Sequence, residues 1–203
     1  MQTKYDSAGA LEEVMEESVD DQAWHKKMAV QFSSLTPVND KSFLPILCIN
    51  TTRMQDGGPG VISNIKINDS ANTFGKRIDF ISLLDNDKDI NLSTAMVMGA
   101  RFPYVSPAGR IDQHLKKVNQ PEEDSIINHY FVDGGYFDNS GAGVVHEMIL
   151  GLQELRKDFI EHDTHFNFLN KLVFYLIHIN NSPSPSNALK QVHPLQNDMI
   201  APL

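Results

Sequence analysis

The sequence predicts an α/β domain whose sheet is at least partly parallel and carries helices on both faces, and three observations carry that prediction. Two runs, 44–50 and 171–181, are apolar with almost no alternation, the pattern of strands covered on each side. Two longer stretches, 10–32 and 144–159, place their apolar residues at helical spacing. A third apolar stretch, 129–132, runs into Asp133, Gly134 and Gly135 and then into a helix signal. Strands that alternate with helices in this way argue an α/β sheet. In such sheets functional residues collect at the carboxyl ends of strands, the position held by both Asp133 and Asn180.

In chain order, Leu11, Val14, Met15, Val19, Trp24, Met28 and Phe32 predict one or two amphipathic helices with a core-seeking face. The run 44–50 predicts a central strand. Asp56, Gly57, Gly58, Pro59 and Gly60 are dense turn chemistry and predict a hairpin-like excursion. This glycine cluster has no Lys-Ser/Thr after it, so a plain turn outweighs a phosphate loop. Residues 78–84 are β-prone, and the acidic residues at 85–89 resemble the start of a calcium loop. An EF-hand would want glycine and glutamate where this chain has Ile90 and Met96, so a solvated acidic loop is expected instead. Ser93 can cap a short helix that must end before Pro103, which makes Arg101, Phe102 and Pro103 an exposed helix-to-loop corner. After Asp133, Asn139 or Ser140 caps a helix marked by Val144, Val145, Met148, Ile149, Leu152, Leu155 and Phe159.

At 203 residues, 41% hydrophobic and 21% charged, the chain is long enough for one domain with a real core. A formal charge of -9 repels polyanions and excludes a nucleic-acid binder. The single cysteine, Cys48, lies in an apolar run and reads as a buried, inert thiol. No apolar run approaches the roughly 20 residues of a membrane span, and the acidic N-terminus does not fit a signal or transit peptide, so the chain reads as soluble. Both ends read as cut through helical patterns, which predicts a fragment of a longer protein. A truncated sheet would leave an apolar edge, and self-association of the fragment follows from it.

Chemistry concentrates at Asp133. A carboxylate that ends a strand, followed by two residues without side chains, is where a fold can hold a base beside a substrate that approaches the backbone. Tyr130, Phe131, Tyr136 and Phe137 are available to keep it partly dry. The matching nucleophile is missing, because no Gly-x-Ser-x-Gly occurs in the chain. The histidines do not combine with carboxylates in metal-ligand spacing, although His146 or His178 would be the rival partner in a serine-histidine-aspartate triad.

Leu92, Ser93, Thr94 and Ala95, then the segment from Gly99 through Arg101, Phe102 and Pro103 to Gly109, and finally Val132 through Asp133, Gly134 and Gly135 to Asn139, together resemble the second half of patatin-like phospholipases. Gly99 departs from the serine that many relatives carry. The resemblance implies a three-layer α/β/α domain, here incomplete, with a serine-aspartate dyad that cleaves lipid acyl esters without histidine, metal or cofactor. It implies that Asp133 is the dyad base, that Gly134, Gly135, Asn139, Arg101, Phe102 and Pro103 support substrate or loop, and that the oxyanion loop and nucleophile turn lie upstream. The substrate it implies is a lipid or other acyl ester, met by the parent protein at a membrane surface. Alone, the chain would be inactive. The alternatives are a non-catalytic domain of the same fold that binds or assembles, and an unrelated α/β module whose Asp-Gly-Gly is only a turn.

Overall fold

The computed structural model describes residues 6–18, 27–35, 45–67, 77–85, 88–117, 120–162, 170–171, 173–177 and 179. The chain divides into two units, Met1–Leu172 and Val173–Leu203, and the fold below is that of the first. Its elements are helices α1 (Ser7–Glu17), α2 (Leu92–Met98), α3 (Gly135–Asp138) and α4 (Ala142–His162), with strands β1 (Cys48–Arg53), β2 (Pro59–Ser63), β3 (Ile78–Asp79), β4 (Gly109–Lys117) and β5 (Gln120–Asp133). The strands form one mixed sheet in the order β3-β2-β1-β5-β4.

The strand expected at 44–50 is central in this sheet, three residues or so later than its apolar run, and β1 pairs antiparallel with both neighbours. The glycine-rich stretch after it is a hairpin turn, as expected. Gly57 takes φ +66°, which side chains resist, and Asp56 pairs with Arg53 while accepting the Gly58 N–H at 3.0 Å. Parallel pairing is much scarcer than the sequence suggests, because among the described residues only the two-residue β2–β3 contact runs parallel. Residues 78–84 supply a strand of two residues and then a 3-10 turn. Asp79 diverts them, its carboxylate accepting the backbone N–H of Ile67, Ile81 and Ser82 and so offering the chain an alternative to the ladder.

β4 is a strand the sequence reading passed over. It pairs with β5 from Gly109↔Phe131 to Lys116↔Asp124. Its charges at alternate positions share a face, where Arg110 and Asp112 pair at 2.6 Å.

Helices lie on both faces, and adjacent residues of β2 prove the alternation. Ile62 packs with Phe80, Phe131, Ile111 and with Ala95 and Met98 of α2, whereas Val61 packs with Ile67 and Val144 of α4, near Cys48 and Met148. Each fully buried side chain of this kind is worth about 1.5–3 kcal/mol.

Two expectations about helices are corrected. The face of α1 that meets α2 is polar: Glu12 accepts from Thr94 Oγ1 at 3.0 Å and Glu16 from Ser93 Oγ at 2.5 Å, while Leu11 and Val14 are 46% and 61% exposed. Apolar spacing marked the helix but not the side that docks. Ser93 is accordingly no cap; Asn91 holds the N-cap of α2, and the Ser93 side chain is spent, fully buried, on Glu16.

The strongest strand signal also fails locally. Val173–Ile177 and Ile179 carry no strand; β-prone residues form one only where a ladder partner accepts them. Asn180 lies outside the described residues. No helix among the described residues is long and apolar enough to cross a membrane.

Candidate functional site

Asp133 is the last residue of β5, opposite Thr51 of β1, and its N–H is taken at 2.8 Å by the carbonyl of Arg101 rather than by the sheet. The strand therefore ends here, and the backbone turns directly into the single helical turn α3, with Phe137 and Asp138 N–H groups bonded to Gly134 O at 3.0 and 2.9 Å. Asp133 Oδ1 accepts the Gly135 N–H at 2.6 Å, fixing the carboxylate against its own loop. No other hydrogen bond and no cation reaches that carboxylate among the described residues, so one oxygen stays available. The side chain is half-buried.

It lines an open groove of about 400 Å³, walled by Asn50 from β1, Met96, Gly99 and Ala100 from α2 and its end, and the loop after β5. The two glycines at its floor are required by close approach. A Cβ on Gly134 would sit 2.5 Å from the backbone of Asn50, and one on Gly99 would sit 2.5 Å from Ile49 Cγ2 and 2.8 Å from Asn50 O. Their backbones also bond, Gly134 N–H to Gly99 O at 3.2 Å. A side chain at position 99 would not fit here without movement. A Cβ on Gly135 would press on Asp133 Oδ1 at 2.9 Å and on Asn139 Oδ1 at 3.0 Å. What comes close to these glycines is thus first the protein's own chain.

The other expected site residues are placed differently. Arg101 is not an exposed corner but 3% exposed, donating to Pro107 O at 2.9 Å and lying 3.6 Å from Glu12. Burial depresses its pKa, against the pull of Glu12 and Asp6. It holds the segment whose carbonyl receives Asp133, and does not line the groove. Phe102 is exposed and stacks on Tyr136 at 5.8 Å, and Pro103 belongs to the following turn; both stand outside the groove wall. Of the aromatic residues expected around Asp133, Phe131 is in the core and Tyr130 and Phe137 are exposed, leaving Tyr136 beside it. Burial, followed by the negative charge of Asp133, pushes the Tyr136 phenol up.

Asn139 lines the groove but is exposed, and its side chain makes no hydrogen bond among the described residues. The loop is fixed by its neighbour Asp138, which the sequence reading overlooked. Asp138 accepts from Ser140 N–H and Oγ at 3.2 and 2.9 Å and from Gly143 N–H at 2.9 Å, so it serves the open start of α4. Ser140 helps, accepting the Ala142 N–H at 3.1 Å, as its expected capping role required. We expect Ser140→Ala to lower stability by about 1 kcal/mol in urea unfolding, the usual worth of a cap.

Burial disfavours the Asp138 anion, but the Ser140 hydroxyl and the N–H groups of Gly143, Ser140 and Val144 outweigh it and hold the carboxyl below its usual 3.8. A depressed carboxyl stabilises the fold above its unfolded pKa and loses that contribution as pH falls through the folded value. The native protein should therefore lose more thermal midpoint below about pH 4 than Asp138→Asn does over the same interval; parallel curves would contradict this.

His146 is exposed on α4 and absent from the groove wall, and His178 lies outside the described residues. No three His, Cys, Asp or Glu residues among the described ones gather to hold a metal ion. A larger hollow of about 870 Å³ lies between α1, α2 and β4, but most of its charged groups are already paired: Arg110 with Asp112, Lys88 with Asp85, Arg101 with Glu12. The smaller groove, with an unpaired carboxylate at a strand end, is the better candidate. The chain matches no family model, no curated protein and no solved structure.

Proposed function

We propose that this chain supplies the base half of a patatin-like serine-aspartate acyl hydrolase, within a three-layer α/β/α domain, and that the attacking hydroxyl belongs to polypeptide preceding Met1. The observation that carries this reading is the Asp133 carboxylate itself. One oxygen is anchored by Gly135 N–H, the other is uncommitted, and the groove beside it is floored by residues without side chains. It stands where β5 ends and the chain turns directly into a helical turn beside that groove.

In the proposed reaction the serine Oγ bonds to the ester carbonyl carbon while its proton passes to the free oxygen of Asp133. Collapse of the tetrahedral adduct breaks the bond to the alcohol oxygen, which takes the proton from Asp133 and leaves an acyl-enzyme. Water then repeats the sequence, giving a proton to Asp133 as it attacks, and the departing serine recovers it. A carboxylate fixed by its own loop suits this work because its side chain need not be reoriented at each transfer. The substrate is an acyl ester of a lipid or of a simpler alcohol.

A second reading, a non-catalytic domain of the same fold that binds or assembles, draws support from one observation. Among the described residues Ser140 is the one hydroxyl side chain in the groove wall, and its hydrogen is committed to Asp138. Both readings are tested by assaying ester hydrolysis with the polypeptide as its gene encodes it, including any residues before Met1. Turnover that disappears in Asp133→Ala while the fold persists supports the hydrolase; unchanged turnover in that variant removes Asp133 from the chemistry. No turnover, and no Gly-x-Ser-x-Gly upstream, favours the second reading.

A further inference from the structure

The Asp133 turn is short, and little of it is held by the sheet. A buried cation lies against the residues that follow it. Arg77, with 2% of its side chain exposed, precedes β3 and extends to three separate elements. Its Nε donates to Glu147 Oε2 on α4 at 2.6 Å, its Nη1 to Asn50 Oδ1 at the middle of β1 at 3.5 Å, and its Nη2 lies 3.6 Å from Asp138 Oδ2. The guanidinium also sits 5.8 Å from the Phe137 ring centroid.

The two polar groups it meets at the loop are those that position Gly134. Asn50 Nδ2 donates to both the carbonyl and the carboxylate of Asp138 at 3.4 Å, and the Asn50 backbone is the surface against which Gly134 rests. An independent sign that the fold is built around this contact is Gly143, in the first turn of α4. A Cβ there would lie 2.7 Å from Asp138 Oδ2 and 2.8 Å from Arg77 Nη2, so the helix accepts a poor helix former to leave the pair room.

We propose that Arg77 is the positioning residue of the candidate site, holding Asp138 and Asn50 so that the turn from Asp133 to Gly135 keeps one geometry. A planar guanidinium suits three partners in three directions; a lysine ammonium retains the charge without the fork. The catalytic consequence rests on the hydrolase reading above, whereas the effect on the turn does not.

The test uses the polypeptide as encoded, with Arg77→Gln, Arg77→Lys and Asp133→Asn side by side. Amide hydrogen exchange should accelerate at Gly135 and Gly143 in Arg77→Gln by at least about tenfold, while the paired amides of β4 and β5 exchange as before. In hydrolysis, kcat should fall on the order of 10²-fold with KM little changed, the signature of a misplaced group rather than lost binding, and Arg77→Lys should recover part of it. Unchanged exchange at Gly135, or acceleration spread evenly over the whole fold, overturns the proposal. If native protein and Asp133→Asn hydrolyse alike, the hydrolase reading falls, and the exchange pattern still decides what Arg77 does.

Discussion

Asp133→Asn is expected to lower kcat/KM for ester hydrolysis by about 10²–10⁴-fold, the range a general base contributes, without unfolding the protein. Asparagine keeps an oxygen able to accept the Gly135 N–H that Asp133 accepts at 2.6 Å, so the turn into α3 survives. It cannot take a proton from a hydroxyl, because an amide nitrogen offers no basic lone pair. The variant is therefore more informative than alanine, which removes the anchor together with the base. The measurement is steady-state hydrolysis paired with thermal unfolding. A variant within threefold of the native rate would show that the carboxylate only ends a strand and caps a helical turn.

Gly134→Ala should be strongly destabilising. The added carbon would sit 2.5 Å from the carbon, oxygen and Cβ of Asn50, and two of those atoms are backbone in a central strand, so no side chain can swing aside. Overpacking of this kind costs about 3 kcal/mol, a large fraction of the roughly 5–15 kcal/mol that holds a domain together. Urea unfolding reads the loss directly. Gly57→Ala is the contrast: nothing lies within 4 Å of its Cβ, and its cost, from φ +66°, is conformational alone. It is expected near 1 kcal/mol, and equal losses at the two positions would contradict the packing argument.

Much of the site was legible because it is written in local sequence. Asp133 stands after a strand and before a helix, where its neighbours put it, and the cluster at 56–60 could do little but turn. What was misread involves partners far along the chain. Arg101 looked like an exposed corner since arginine after a short helix usually is one, yet it is buried because Glu12 and Pro107 O meet it there. Asp138 was passed over in favour of Asn139, its neighbour, because side-chain type cannot say which of two adjacent polar residues faces a buried cation 61 positions upstream. The apolar stripe of α1 pointed to the core, and the helix instead docks through its glutamates.

By itself the sequence determined the class of elements, the central strand, the hairpin turn and the strand-to-helix junction at Asp133, all of which follow from hydrophobic period and turn chemistry over a dozen residues. Only the tertiary structure decided that the sheet is mostly antiparallel, that β4 completes it, and that Arg77, Asn50 and Asp138 brace the turn. The physical reason is that strand pairing and buried ion pairs draw their free energy from groups distant in the chain, whereas propensity and turns draw theirs from groups that are adjacent.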